Sequence, residues 1–285
     1  RPTLSAYVHQ RVHSFHEGFR HNLAVLGPTG AGKTFLLHHS LPSDGSPILT
    51  VWLTLQPESM RTFISRLSVA VLQAVVQSAG QFTLPASSDG SDELFDVLVA
   101  RAALVAPKTA EAVKKLAAYQ SGHLQAEALA HALDIIPVLH QELNRPVILV
   151  LDEFLHLGDL GVSHAFHELG KRVMTWPFAL FLLTSSSSFQ AKDILRERLQ
   201  LLFGQFEVIQ LGNTEPSVAS LWMAQELPQD ERMGQALQFV HQWLGRSPWY
   251  VRVLLNRMKE LTLINRDNKP AEQLLFQAAW DVVGS

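Results

Sequence analysis

The chain has 285 residues, 47% hydrophobic and 17% charged, with a formal net charge of −3 and no cysteine. That balance fits a folded globule of one large domain or two unequal ones, and it excludes a disordered tail, a disulfide scaffold and a cysteine-based metal site. The near-neutral charge offers no electrostatic footprint for nucleic acid, while leaving room for a local basic patch, and no apolar stretch reaches the length of a membrane span.

In chain order, Leu23-Ala24-Val25-Leu26 reads as a buried strand, and the following residues Gly27-Pro28-Thr29-Gly30-Ala31-Gly32-Lys33-Thr34 fit G-x-x-x-x-G-K-[ST] in full. Glycines let such a loop curl so that successive N–H groups face phosphate oxygens, and the helix beginning there aims its positive dipole end at the same charge. In this pattern Lys33 reaches the outer phosphates and Thr34 holds magnesium. Phe35 opens a short helix with no breaker before Pro42, and completes the expected nucleotide contacts from Gly27 onward. A second strand is expected at 48–53 and an amphipathic helix at 57–78, with Met60, Phe63, Ile64, Leu67, Val71 and Leu72 at helical spacing. Residues 80–92, rich in Ser, Gly and Pro, predict a mobile loop. Helices are predicted at 93–105, at 109–119, where Glu111 and Lys115 stand four apart, and at 124–143. This helical excursion, about residues 80–145, carries no legible task.

The run Pro146-Val147-Ile148-Leu149-Val150-Leu151 is an uninterrupted aliphatic strand that ends in Asp152-Glu153. Two acids at the end of a buried strand are costly unless they work. In a phosphate-loop enzyme Asp152 joins the magnesium shell and Glu153 polarises the water that attacks the γ-phosphate. A fourth strand, 178–183, runs into Thr184-Ser185-Ser186-Ser187-Ser188. Hydroxyls beside the acidic strand either hold the attacking water, with Thr184 and Ser185 best placed, or form a serine-rich turn. Arg196-Glu197-Arg198 precede a fifth strand at 206–211. Those arginines are either solvated helix charges or a guanidinium lent to a neighbouring subunit's phosphoryl group, for which Arg198 is the choice.

From Asn213 the pattern becomes helical, at 215–226, 230–244 and 248–261, which predicts a nucleotide-binding α/β domain over 1–212 and a helical lid over 213–285. Gly245-Arg246-Ser247-Pro248 ends one of those helices and starts the next. Leu201-Leu202-Phe203, Trp222 and Trp243 read as core positions and not as partner surfaces. His164-x-x-His167-Glu168 and His38-His39 do not assemble three convergent zinc ligands, Gly-x-Ser-x-Gly is absent, and the lack of Asn-Lys-x-Asp tilts the base toward adenine.

The order of phosphate loop, Leu151-Asp152-Glu153-Phe154 strand end, polar fourth-strand end, arginine-bearing helix and helical lid resembles the AAA+ and STAND ATPases. The likeness is greatest to the branch of archaeal-type ATPases and origin-recognition initiators, over about residues 5 to 260. It implies a three-layer α/β sandwich of the P-loop NTPase class with a parallel five-stranded sheet and a small helical lid. It implies ATP and Mg2+ as cofactors and a nucleotide-dependent switch or assembly ATPase that associates with itself or a partner subunit. The alternative function it implies is an ATP-dependent DNA initiator, loader or transposition regulator. In such proteins a Gly-x-Pro-like lid element approaches the nucleotide, which falls here on Pro248 although the element is one residue longer. A lid arginine touching the γ-phosphate matches Arg252 or Arg246, and adenine lies near the segment 7–22. Without a signal-peptide core the chain is expected in the cytoplasm, or in the nucleus for a eukaryotic initiator. Its start at Arg1 and its end soon after a helical stretch are expected of a domain excised from something longer.

Overall fold

A computed structural model describes residues 2–42, 46–80, 91–118, 125–197, 199, 206–212, 248–264 and 270–284. Two compact units divide the chain, one made of residues 1–26 with 34–209, the other of residues 27–33 with 210–285.

The larger unit is built on strands β1 (Asn22–Leu26), β2 (Leu49–Thr54), β3 (Val147–Asp152), β4 (Ala179–Ser185) and β5 (Phe206–Gln210), in the spatial order β2-β3-β4-β1-β5. The pairs β2–β3, β3–β4 and β1–β4 run parallel. Every residue of β1, β3 and β4 is buried, which is why these strands read as continuous aliphatic runs: a parallel sheet is covered on both faces. β2 alternates buried and half-buried residues, as an outer strand should. The register aligns Thr54 with Asp152, Leu151 with Leu183, and Leu26 with Ser185. β4 therefore stands between the strand leading into the phosphate loop and the strand carrying the acids, and the carboxyl ends of all three face the same edge.

The helices are α1 (Pro2–His16), α2 (Lys33–Ser40), α3 (Met60–Ser78), α4 (Ser91–Val105), α5 (Pro107–Ala118), α6 (Gln125–Leu133), α7 (Ile135–Leu143), α8 (Ala165–Thr175), α9 (Ser188–Glu197), α10 (Pro248–Leu263) and α11 (Ala271–Gly284). α3 starts at an N-cap, Ser59, whose hydroxyl accepts from the Thr62 amide at 3.2 Å, and it buries Phe63, Ile64, Leu67, Val71, Leu72 and Val75 against the sheet core. The helix expected over 124–143 is two helices. Pro137 cannot donate the backbone bond back to Leu133, so α6 stops there and α7 restarts after Asp134. α5 begins two residues earlier than its periodicity predicts, with Pro107 at the first helical position.

α1 is a helix the motif reading did not draw, although Val8, Val12 and Phe15, at 0%, 6% and 5% exposure, carried its spacing. His164 caps the start of α8 in a left-handed conformation (φ 65°), and His167 is exposed within the helix. In the smaller unit α10 and α11 pack through Leu254, Met258, Leu261, Leu274, Leu275 and Ala278. The mobile loop expected over 80–92 lies largely, and the helices expected at 215–226 and 230–244 lie wholly, outside the described residues. Leu201, Leu202, Phe203, Trp222 and Trp243 lie outside them too.

Candidate active site

The loop between β1 and α2 turns on glycine. Gly30 and Gly32 have φ of 76° and 86°, where side chains are rarely found. Gly27 meets a different limit: a Cβ there would stand 2.4 Å from the Leu211 carbonyl oxygen, so only glycine permits that approach. Lys33, 5% exposed, folds its ammonium onto the loop's own backbone, donating to the Gly27 and Pro28 carbonyls at 2.9 and 3.3 Å. The cation is thus held inside the curl that the motif predicts for a polyanion.

The next residue, Thr34, donates its hydroxyl to Asp152 Oδ2 at 3.1 Å, across 118 positions of sequence. Asp152 is 4% exposed, and a buried carboxylate is tolerable only when its oxygens are bonded. Its other oxygen, Oδ1, accepts from the fully buried hydroxyl of Thr184 on β4. Thr184 Oγ1 in turn accepts the backbone N–H of Glu153 at 3.0 Å. Thr184 therefore ties both acids to the neighbouring strand. Ser185, also buried, spends its hydroxyl on the turn, donating to the Ser187 carbonyl at 3.4 Å and accepting the Ser187 amide at 3.1 Å.

Glu153 is a non-glycine residue in left-handed backbone, φ 56° and ψ 50°, between β3 and the 3-10 segment Phe154–Leu160. Such conformations are costly and persist where the surroundings over-determine them. Its Oε2 accepts two bonds from one residue, the Ser186 amide at 2.7 Å and the Ser186 hydroxyl at 2.9 Å. Ser186 is the residue that motif reasoning missed. Its only signal was membership of a run of four serines.

A threonine hydroxyl beside an aspartate is a hard oxygen pair of the kind magnesium takes, since that ion keeps most of its shell for water and phosphate oxygens. Phe35, 59% exposed, stacks on His39 with ring centroids 3.9 Å apart. Within the segment 7–22, the Tyr7 hydroxyl and the Arg11 Nε both donate to Glu207 Oε2 of β5, at 2.5 and 2.7 Å. The Tyr7 hydroxyl, aided by Glu207, holds the Arg11 guanidinium above its ordinary value against the opposing effect of burial. Arg196 is exposed and paired with Asp193 and Glu197 at 3.4 and 3.2 Å. Arg198 and the segment 245–247, with Arg246, lie outside the described residues. Pro248 is the first residue of α10, and Arg252 lies exposed on the same helix.

The strand order, the phosphate loop and the acid-tipped β3 define an α/β fold of the P-loop ATPase kind. Solved structures similar to this chain include the Walker-type ATPase of Pyrococcus abyssi, with TM-score 0.58, 13% identity, and coverage of 97% of this chain and 71% of that one. The ORC2 protein of Aeropyrum pernix, solved as ADPNP-ADP complexes, matches with TM-score 0.53 and 15% identity over 99% of this chain and 68% of its own. The ORC1 protein of the same organism, solved in complex with DNA, matches with TM-score 0.52 and 12% identity over 99% and 65%. No protein-family model and no curated protein matches the chain.

Proposed function

We propose that this chain binds ATP with magnesium through Gly27–Phe35 and hydrolyses it, working as a nucleotide-dependent switch or assembly ATPase. The observation that carries the reading is the Thr34 hydroxyl set 3.1 Å from the Asp152 carboxylate. Thr34 and Asp152 would hold magnesium, which when bound neutralises charge on the phosphate oxygens. Loop amides and Lys33 bind the phosphates, Lys33 exchanging its carbonyl partners for them. Glu153 orients the attacking water and takes its proton, and Thr184 keeps both acids in register with β4. Two residues of the same scheme come from the AAA+ likeness: Pro248 as a nucleotide contact, and Arg198 as a charge supplied to a neighbouring copy.

The test is ATP binding and turnover by the purified chain. Glu153→Gln should retain nucleotide and lose turnover, and Lys33→Ala should lose both. Normal hydrolysis by Glu153→Gln would remove the assigned base.

A second reading, an ATP-dependent DNA initiator or loader, is favoured by the likeness to an archaeal protein solved in complex with DNA. It predicts ATP-dependent, salt-sensitive binding to duplex DNA; no binding at low salt rejects it.

A further inference from the structure

The turn that follows β4 does more than close the strand. Glu153 has three rotatable side-chain bonds, so holding its carboxylate in one rotamer costs conformational entropy. Here both ends of the residue are already fixed. Its backbone N–H is held by Thr184 Oγ1 at 3.0 Å, and its Oε2 receives two charge-assisted bonds, from the Ser186 amide at 2.7 Å and the Ser186 hydroxyl at 2.9 Å. One donor is backbone and survives any side-chain change. The other is a hydroxyl that a single substitution deletes. Ser185 cannot replace it, because its own hydroxyl is bonded to the Ser187 carbonyl and amide across the turn.

We propose that Ser186 is the positioning residue of the water-activating carboxylate: its hydroxyl and amide together clamp Glu153 Oε2 and so hold the base in one orientation. The inference rests on the assignment of Glu153 as base and goes beyond it by naming the group that aims it. A fixed base needs no reorientation before proton transfer, and misplacement by an ångström can cost on the order of 10²-fold. Loss of one of two clamping bonds should cost less than that. Lys33, Thr34 and Asp152 are held by other partners, the Gly27 carbonyl, Asp152 and Thr184, so nucleotide affinity should be untouched.

The experiment uses the full chain and three variants, Ser186→Ala, Ser186→Thr and Ser186→Ala combined with Glu153→Gln, with ATP turnover and binding of a fluorescent ATP analogue as separate readouts. Ser186→Ala should lower kcat about tenfold with the analogue's Kd unchanged, and Ser186→Thr, which keeps the hydroxyl, should recover most of the rate. In the Glu153→Gln background, Ser186→Ala should cause no additional loss in single-turnover rate, because the two residues act as one unit. An active chain indifferent to Ser186→Ala, a Ser186→Thr variant no better than Ser186→Ala, or an undiminished tenfold loss in the Glu153→Gln background overturns the inference and leaves the ATPase assignment standing. A wild-type chain that binds ATP without any turnover overturns the ATPase assignment, and the inference with it.

Discussion

The acid-bearing edge of the sheet and the helical excursion of residues 91–143 draw on one apolar core but place their polar groups in opposite ways. At the sheet edge, Asp152, Thr184 and Ser185 are buried at the ends of strands, and Glu153 sits in a backbone conformation that its residue type resists. In the excursion the polar groups are structural ties between helices. Glu142 of α7 accepts the Lys108 and Thr109 amides and the Thr109 hydroxyl at 2.7–2.8 Å, which caps α5 from a neighbouring helix. Arg172 of α8, 8% exposed, bonds Glu168 on its own helix, Asp134 ahead of α7, and the Ala130 carbonyl of α6. Burial of this kind ties helices together at one place and gathers acids and hydroxyls at a strand edge in the other, the pattern expected where stability is given up for function.

That contrast breaks most sharply at Glu153. Glu153→Gln should reduce kcat by roughly 10²–10⁴-fold, with thermal stability equal to or above that of the parent, since it removes the proposed general base from a strained site. Steady-state turnover and a melting curve check both halves. Arg172→Leu should do the reverse. Removing a buried guanidinium that bonds Glu168 on its own helix, the half-exposed Asp134 and the Ala130 carbonyl should cost about 2 kcal/mol in urea unfolding, while ATP turnover at a temperature where the variant is folded stays as in the parent. Thr184→Val keeps the shape and removes the hydroxyl that bonds Asp152 and Glu153, so activity and magnesium affinity should fall about 10–100-fold. A magnesium titration of turnover separates that effect from simple loss of fold.

The smallest expected effect is at Glu142. Burial opposes its ionisation, but the Thr109 hydroxyl and the two amides outweigh burial and hold the carboxyl below its ordinary value. A depressed folded-state value means the contribution is fully present above the unfolded value of about 4.3 and fades as pH falls through the lower folded one. Glu142→Gln should therefore cost about 1 kcal/mol at neutral pH and flatten this part of the acid limb, as followed by urea unfolding at stepped pH. An equal loss at pH 7 and pH 3 would contradict the capping role.

Much of the site is local and was legible for that reason. A strand, eight loop residues and the start of a helix form one contiguous stretch, Leu23 to Thr34, and β3 with its acids is another. The break at Asp134 was written in Pro137 and passed over, because apolar spacing continues through it. The α1 helix carried a buried face and end signals as well, Pro2 at its start and Gly18, at φ 95°, just past its end, but no motif attached to it. Ser186 could not be singled out, since its neighbours in Thr184–Ser188 offer the same hydroxyl chemistry and only the turn geometry separates them.

What the chain determines unaided is the set of groups proposed for phosphate and metal, because glycine permissiveness, a lone lysine and strand-end acids act through neighbours in sequence. What only tertiary structure decided is their pairing. The strand order put β4 between β1 and β3, and so made Thr184 the shared partner of both acids and Ser186 the partner of Glu153, contacts set by hydrogen-bond register between strands far apart in the chain.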